Sequence, residues 1–282
     1  MREYVNRLVP ILGGKVYAEP TIFTPANLLR EARRQKALPE GTVPRVCILD
    51  PDGDIVEYLL ETDQAEPNSY WACYHSRMYD FVRGGVSYGI VGGAVGAPFA
   101  VLVAEEMFAS GCEFLVSVTS AGQISPAGPP PYFVLITRAL RDEGTSYHYT
   151  PPASYSELHR GLDKLLRDAF DGDGVPEVNR GAAWTTDAPF RETAAEIERH
   201  RSAGILAVEM ETAALYAFAE ATGNPVVCFA HVTNQMASVE GDFEKGVASG
   251  STDALRVIEA TTQRWLHAAN KETKSSPGDK EW

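Results

Sequence analysis

Cysteine is scarce in this chain of 282 residues: Cys47, Cys73, Cys112 and Cys228 are the four, and no two share the spacing of a metal knuckle or a disulfide frame. They lie in or beside apolar segments, as buried thiols of a reducing compartment do. No apolar run reaches the ~18 residues that a membrane-spanning helix requires. The opening Met1-Arg-Glu-Tyr-Val-Asn-Arg7 lacks the apolar centre of a secretory leader. Basic residues are in deficit: 25 Lys and Arg against 38 Asp and Glu leave a net charge of −13. That balance argues against nucleic acid or an anionic membrane as partner. HExxH, GxSxG, repeats and low-complexity segments are all missing. The remainder, 44% hydrophobic and 22% charged, is the mix of a soluble globular protein, expected in the cytoplasm and long enough for one large core.

What is present centres on Gly204-Ile-Leu-Ala-Val-Glu209-Met210-Glu211-Thr-Ala-Ala-Leu-Tyr-Ala-Phe-Ala219. Two carboxylates two residues apart interrupt an otherwise apolar run. Ile205–Val208 reads as a short buried strand, and 212–221 as a helix apolar on nearly every face, hence a core helix. In extended backbone Glu209 and Glu211 point the same way; in helix about 200° separates them. A carboxylate in such surroundings must be paired or hydrogen-bonded. Acids at a helix N-terminus also complement the helix dipole, which explains one glutamate more easily than two.

Along the chain, residues 1–42 read as an N-terminal extension. In it Thr24-Pro25 opens a helix through about Gln35, with Leu28, Leu29 and Ala32 on one face. Val43–Leu49 is a first strand and Asp50-Pro-Asp-Gly53 a turn by composition. Trp71–Phe81 and Val86–Val91 are predicted strands about Arg83-Gly-Gly85. The glycine-rich 88–98 segment leads into a helix over 99–110; by itself it matches neither the P-loop nor the dinucleotide fingerprint. Phe114–Val118 is a buried strand running into a hydroxyl-rich loop, Thr119-Ser120-Ala-Gly-Gln123, where open α/β sheets place ligands. Further strands are expected at 132–137, 181–185 and 226–232, and helices at 156–170 and 251–268, with a polar tail over 271–282. Arg141 to Tyr149 is a dense polar and aromatic stretch, a site wall or a loop of mutually paired charges. The alternation of strands and helices makes the class α/β with a largely parallel sheet. His75 and His231 read as satisfied core histidines.

These residues resemble the nucleoside phosphorylase superfamily, the branch with uridine phosphorylase, hexameric purine nucleoside phosphorylase and methylthioadenosine nucleosidase. Ala207-Val-Glu209-Met210-Glu211 is similar to that family's ribose-binding segment. Gly89-Ile-Val-Gly92-Gly93, Glu105-Glu106 and the strand end Ser117–Gly122 follow in the family's order, and the 141–149 segment is similar to a family loop. The likeness covers about residues 43–268 and leaves 1–42 unexplained, so a catalytic domain is expected over 43–270.

The resemblance implies a three-layer α/β/α core with a mixed, largely parallel twisted sheet. It also implies cleavage of a ribonucleoside's N-glycosidic bond through an oxocarbenium-like transition state. Glu211 would accept the ribose hydroxyls and, with Asn234, be catalytic; Met210 would pack under the sugar and Glu209 would support the group. Asp187, Phe190 and Asn234 would form the base pocket, and Gly92, Gly93, Ser117 and Ser120 the phosphate or water site. No metal or cofactor is implied beyond inorganic phosphate as co-substrate. The expected partner is a small-molecule nucleoside, and the expected assembly a homo-oligomer, a dimer or a hexamer of dimers. Two phosphate-binding arginines of the family fall on Gly53 and Ser117, leaving Arg77, Arg141 or a neighbouring subunit as candidate donors of positive charge. The purine members' acid falls on Asn234, and the uridine members' Gln and Arg fall on Thr193 and Ala195, so the base is open. Phosphorolysis is placed first, hydrolysis second, and a non-catalytic nucleoside binder third.

Overall fold

The structure is a computed structural model that describes residues 9–236 and 240–272. The extension carries helix α1, Pro25–Lys36, opened by Thr24, whose hydroxyl accepts the Asn27 N–H at 3.2 Å. Leu29 and Ala32 turn inward onto Ala72, and α1 packs on the helix introduced below as α3. The extension is thereby fastened to the body of the molecule.

The body begins with β1 (Val46–Asp50), α2 (Asp54–Glu61), β2 (Ala65–Pro67), β3 (Met78–Arg83) and β4 (Val86–Gly92). Then come α3 (Ala97–Ala109), β5 (Phe114–Gln123), β6 (Tyr132–Asp142), β7 (Tyr155–Glu157), α4 (Arg160–Leu165) and β8 (Val178–Thr186). α5 (Ala194–Ser202), β9 (Ile205–Glu209), α6 (Thr212–Thr222), β10 (Val226–Asn234) and α7 (Ser251–Glu272) complete it. One mixed sheet runs β10-β6-β8-β9-β5-β1-β4-β3-β2, with β7 added to β6. β5 also pairs with β10, so part of the sheet closes into a ring, β5-β10-β6-β8-β9. Parallel and antiparallel pairings divide evenly: the ring contributes reversals at β5–β9 and β10–β6, and β2–β3, β3–β4 and β6–β7 are the other antiparallel pairs.

Every residue of β1 and of β10 is buried, as befits strands covered on both faces. α3 packs on α6, and α2 on α7, which completes the three-layer α/β/α arrangement. α6 is the expected core helix: Thr212 through Phe218 are all buried, and its Tyr216 hydroxyl donates to the Ile136 carbonyl at 2.6 Å.

Local differences from the sequence reading have identifiable causes. The strand through Phe114 does not stop at Val118 but continues to Gln123, because β10 and then β9 supply partners that far. The helix expected over 156–170 becomes β7 followed by the short α4, since Tyr155–Glu157 pairs with Arg138–Leu140 and pairing overrides local propensity. Helix α2 follows directly on the Asp50–Gly53 turn and was not anticipated. Of the segment expected to be a strand from Trp71, only Met78 onward pairs. α7 extends through residues 271–272, and the rest of the expected tail lies outside the described residues.

Candidate active site

The two glutamates of the central stretch have separate tasks. β9 ends at Glu209, and one of its carboxylate oxygens accepts the N–H groups of Glu211 (2.8 Å) and Thr212 (2.7 Å) and the Thr212 hydroxyl (2.9 Å). The other accepts the Thr185 hydroxyl from the end of β8. Glu209 therefore caps α6, as the dipole argument expects of one acid. Glu211 instead reaches across the molecule. It accepts the Gly96 N–H at 2.7 Å from the glycine-rich loop and the Thr119 hydroxyl at 3.0 Å from β5. Both glutamates are buried. Burial raises the pKa of each; for Glu211 the charge of Glu209 adds to the rise, while the Gly96 and Thr119 hydrogen bonds oppose it.

A second set of acids meets the same strand end from β1. The Asp50 carboxylate caps α2, accepting Ile55 N–H at 2.9 Å and Val56 N–H at 3.0 Å. Its carbonyl accepts the N–H groups of Gly53 (3.0 Å) and Gly93 (3.1 Å). The turn lies against the glycine-rich loop so closely that a Cβ on Gly92 would sit 3.0 Å from Val56 Cγ2 and 3.2 Å from Gly53 Cα. This docking aims Asp52 at β5, where its carboxylate accepts both the Ser120 N–H (2.6 Å) and the Ser120 hydroxyl (2.7 Å). Asp54 pairs with Lys245. Burial, with the charges of Asp52 and Asp54, raises Asp50 to about 7. His231, stacked on Phe133 at 4.6 Å, is pushed down to about 4 by burial and is neutral. Three carboxyl groups thus share this corner with one ammonium.

The residues singled out in the sequence fall into three groups. Glu209, Met210, Glu211, Ser120 and Gly92 lie at the convergent ends of β4, β5 and β9. Asn234 closes β10 beside Gly122, with its side-chain oxygen accepting the Met236 N–H at 2.9 Å. Asp187, just past β8, accepts the Gly144 N–H at 2.8 Å. The others need correction. Ser117 is mid-strand between Leu49 and Cys228, buried in the sheet about 10 Å short of Ser120, because β5 runs on past it. Gly93 cannot offer its N–H to an anion, since Asp50 holds it. Phe190 is 99% exposed on a 3₁₀ turn, Pro189–Arg191, with its ring in solvent. Arg141 is spent on its own loop: it donates to Ser146 Oγ, Pro151 O and Thr150 O and lies over the Tyr147 ring. Arg77 lines an open groove of 490 Å³ with Gly53 and Gly92.

Asp52, Thr119 and Gly96 belong to the site and were missed as its members. Asp52 had a signal, an acid in the turn where the family has an arginine one residue on. What the arrangement offers chemically is two carboxylates on consecutive hydroxyls, Glu211 on Thr119 and Asp52 on Ser120. They are close enough for the charge of Asp52 to contribute to the raised pKa of Glu211.

Comparison with known proteins bears on the fold and the family. A guanosine phosphorylase of Halorubrum lacusprofundi is 26% identical over 190 residues, 65% of this chain and 76% of the relative. A DeoD-type purine nucleoside phosphorylase of Caldanaerobacter subterraneus subsp. tengcongensis is 24% identical over 212 residues, 71% and 87% of the two chains. Among solved structures, uridine phosphorylase from Vibrio fischeri superposes with a TM-score of 0.64 at 21% identity, covering 79% of this chain and 93% of the other. The 5'-methylthioadenosine/S-adenosyl homocysteine nucleosidase of Campylobacter jejuni gives a TM-score of 0.64 at 17% identity, covering 78% and 99%. The profile of the phosphorylase superfamily matches residues 45–263, from the threshold of β1 into α7, and the chain belongs to that superfamily.

Proposed function

We propose that the protein cleaves the N-glycosidic bond of a ribonucleoside with water as the nucleophile. The observation that carries this reading is the seating of two carboxylates on the adjacent hydroxyls of Thr119 and Ser120. Paired carboxylates with separate roles are how protein sites hydrolyse glycosidic bonds. Glu211 accepts the ribose hydroxyls and stabilises the positive charge that grows at C1′. Met210 packs under the sugar, Glu209 holds Glu211 in place by capping α6, and Asn234 and Asp187 border the base. The C1′–N bond breaks, its electron pair goes to the base, and the base takes a proton from solvent. Water forms the new C1′–O bond and passes its proton to Asp52. Free base and ribose are the products.

Phosphate is a poor fit as the nucleophile. It would have to displace Asp52 from Ser120 and sit as a dianion beside Asp50 and Asp54. Phosphorolysis remains the second reading, favoured by the phosphorylase names of the sequence relatives and by Arg77 in the groove along Gly53 and Gly92. The proposed hydrolysis requires neither metal nor organic cofactor. Homo-oligomeric assembly is part of the proposal on the strength of the family alone.

Product analysis over a panel of purine and pyrimidine ribonucleosides, with phosphate withheld and then added, tests this. Ribose is expected in both conditions, and Asp52→Asn should lower the rate by about 10²–10⁴. Strict dependence on phosphate with release of ribose 1-phosphate would transfer the reading to phosphorolysis. Binding without turnover of any nucleoside would leave a nucleoside-binding protein.

A further inference from the structure

His231 is 7% exposed, and neither of its ring nitrogens has a hydrogen-bonding partner among the described residues. Polar atoms buried this deeply are nearly always satisfied, so the expectation of a satisfied core histidine fails here. Its place in the sheet offers another task. In the parallel register of β10 and β5, His231 lies directly beside Ser120, so the two side chains share one face. Ser120 is the residue whose hydroxyl donates to Asp52 at 2.7 Å. A cavity of 20 Å³ sits at this junction, bordered by Asp52, Thr119, Ser120 and His231, with Ile55 and Ser251 on its helical side. One water needs about 10–15 Å³. Thr119 carries the hydroxyl that Glu211 accepts, so the cavity touches the supports of both carboxylates.

The imidazole is held from two directions. Phe133 stacks on its face at 4.6 Å and 10°, and the backbone at Gly250 crosses its edge so closely that any side chain there would run into the ring. The segment making that approach is strained: Ala248 and Ser249 take φ values of 51° and 54°. Burial keeps the ring neutral, with Lys245 adding to the effect and Asp52, Asp54 and Asp253 opposing it. A neutral imidazole has one nitrogen free to accept a hydrogen bond. We propose that His231 positions the nucleophilic water, accepting one of its O–H groups while the other faces Asp52. The inference rests on the hydrolytic reading above. As the C1′–N bond breaks and its electron pair goes to the base, the water oxygen bonds to C1′. The proton facing Asp52 moves to that carboxylate, and the proton on His231 stays with the new ribose hydroxyl.

The experiment measures ribose release from the best ribonucleoside of the panel in phosphate-free buffer, with melting temperatures to confirm folding. His231→Phe keeps the stack on Phe133 and removes both nitrogens; kcat should fall about 10²-fold with KM for the nucleoside unchanged within about twofold. His231→Asn and His231→Gln place an amide oxygen near one or other ring nitrogen, and at least one should recover about tenfold of that loss. His231→Leu takes the place of the Phe variant if the larger ring does not fit beside Gly250. Near-normal kcat in the folded Phe or Leu variant would overturn the assignment while leaving hydrolysis standing. So would a loss expressed in KM, or amide variants as slow as the apolar one, since a ring needed only for packing would behave that way. No ribose from the unaltered protein without phosphate would remove the hydrolytic reading and this inference with it.

Discussion

Glu211→Gln keeps an acceptor for Gly96 N–H and Thr119 while removing the charge, so the fold should persist and turnover should fall by about two to four powers of ten, ~3–5 kcal/mol. Circular dichroism checks the first half and steady-state kinetics the second; near-normal activity in the folded variant would remove Glu211 from the site. The raised pKa of Glu211 adds a pH signature. Its ionised form gains as pH rises, so the acid limb of kcat/KM should lie above the ordinary carboxylate range and vanish in the Gln variant. Asp50 gives the opposite kind of pH effect, on stability. Its folded pKa of about 7 exceeds the unfolded 3.8, so the native state binds the extra proton between those values and stability falls as pH rises through that window. The ceiling on this contribution is about 4 kcal/mol. Asp50→Asn, which can still cap α2, should flatten urea-denaturation stability between those limits; an unchanged slope would refute the assignment. The sequence makes these residues unequally legible. Glu209 and Glu211 stand out because carboxylates inside an apolar run demand partners. Asp52 does not, because Asp-Pro-Asp-Gly reads as a turn by composition and its partner, Ser120, is 68 residues away.

At the scale of elements, the site depends on how tightly the Asp50–Gly53 turn fits the loop after β4. Gly92→Ala would force the Val56 side chain and the Gly53 backbone aside, and only the first can give cheaply. A loss of about 1–3 kcal/mol in stability is expected, with a larger loss in activity because Asp52 moves off Ser120. Parallel measurement of urea midpoints and turnover separates the two, and an activity loss no greater than the stability loss would show that the turn does not aim Asp52. Apolar periodicity reveals the existence of β1, β5, β9, α6 and β10, since each is buried along all or most of its length. It does not give their ends. β5 gains five residues from partners on either side, and β7 exists only because β6 offers it an edge, information held far away in the chain.

At the scale of the molecule, the extension and the family body are one packed object, although the family match begins only at residue 45. Removal of residues 1–36 should leave the sheet intact by circular dichroism but lower the melting point. Uncovering the apolar patch under Leu29 and Ala32 is expected to cost about 2–4 kcal/mol. An unchanged melting point would mean that α1 merely rests on the surface. The α/β class was legible from alternating strands and helices and the three layers from the family resemblance, whereas the ring was legible from neither, because nothing local announces that β5 will pair with three strands, β1, β10 and β9.

That ring has a bearing on how copies of this chain can meet. A strand engaged on both sides has no backbone groups to offer a neighbour, and closure leaves β2 and β7 as the free borders among the described residues. Each is three residues long, and β2 ends in Pro67, which lacks an N–H. Neither is a template on which a second sheet could grow. Self-association therefore has to be written in side chains, on helical and loop surfaces, where single substitutions can tune or abolish it.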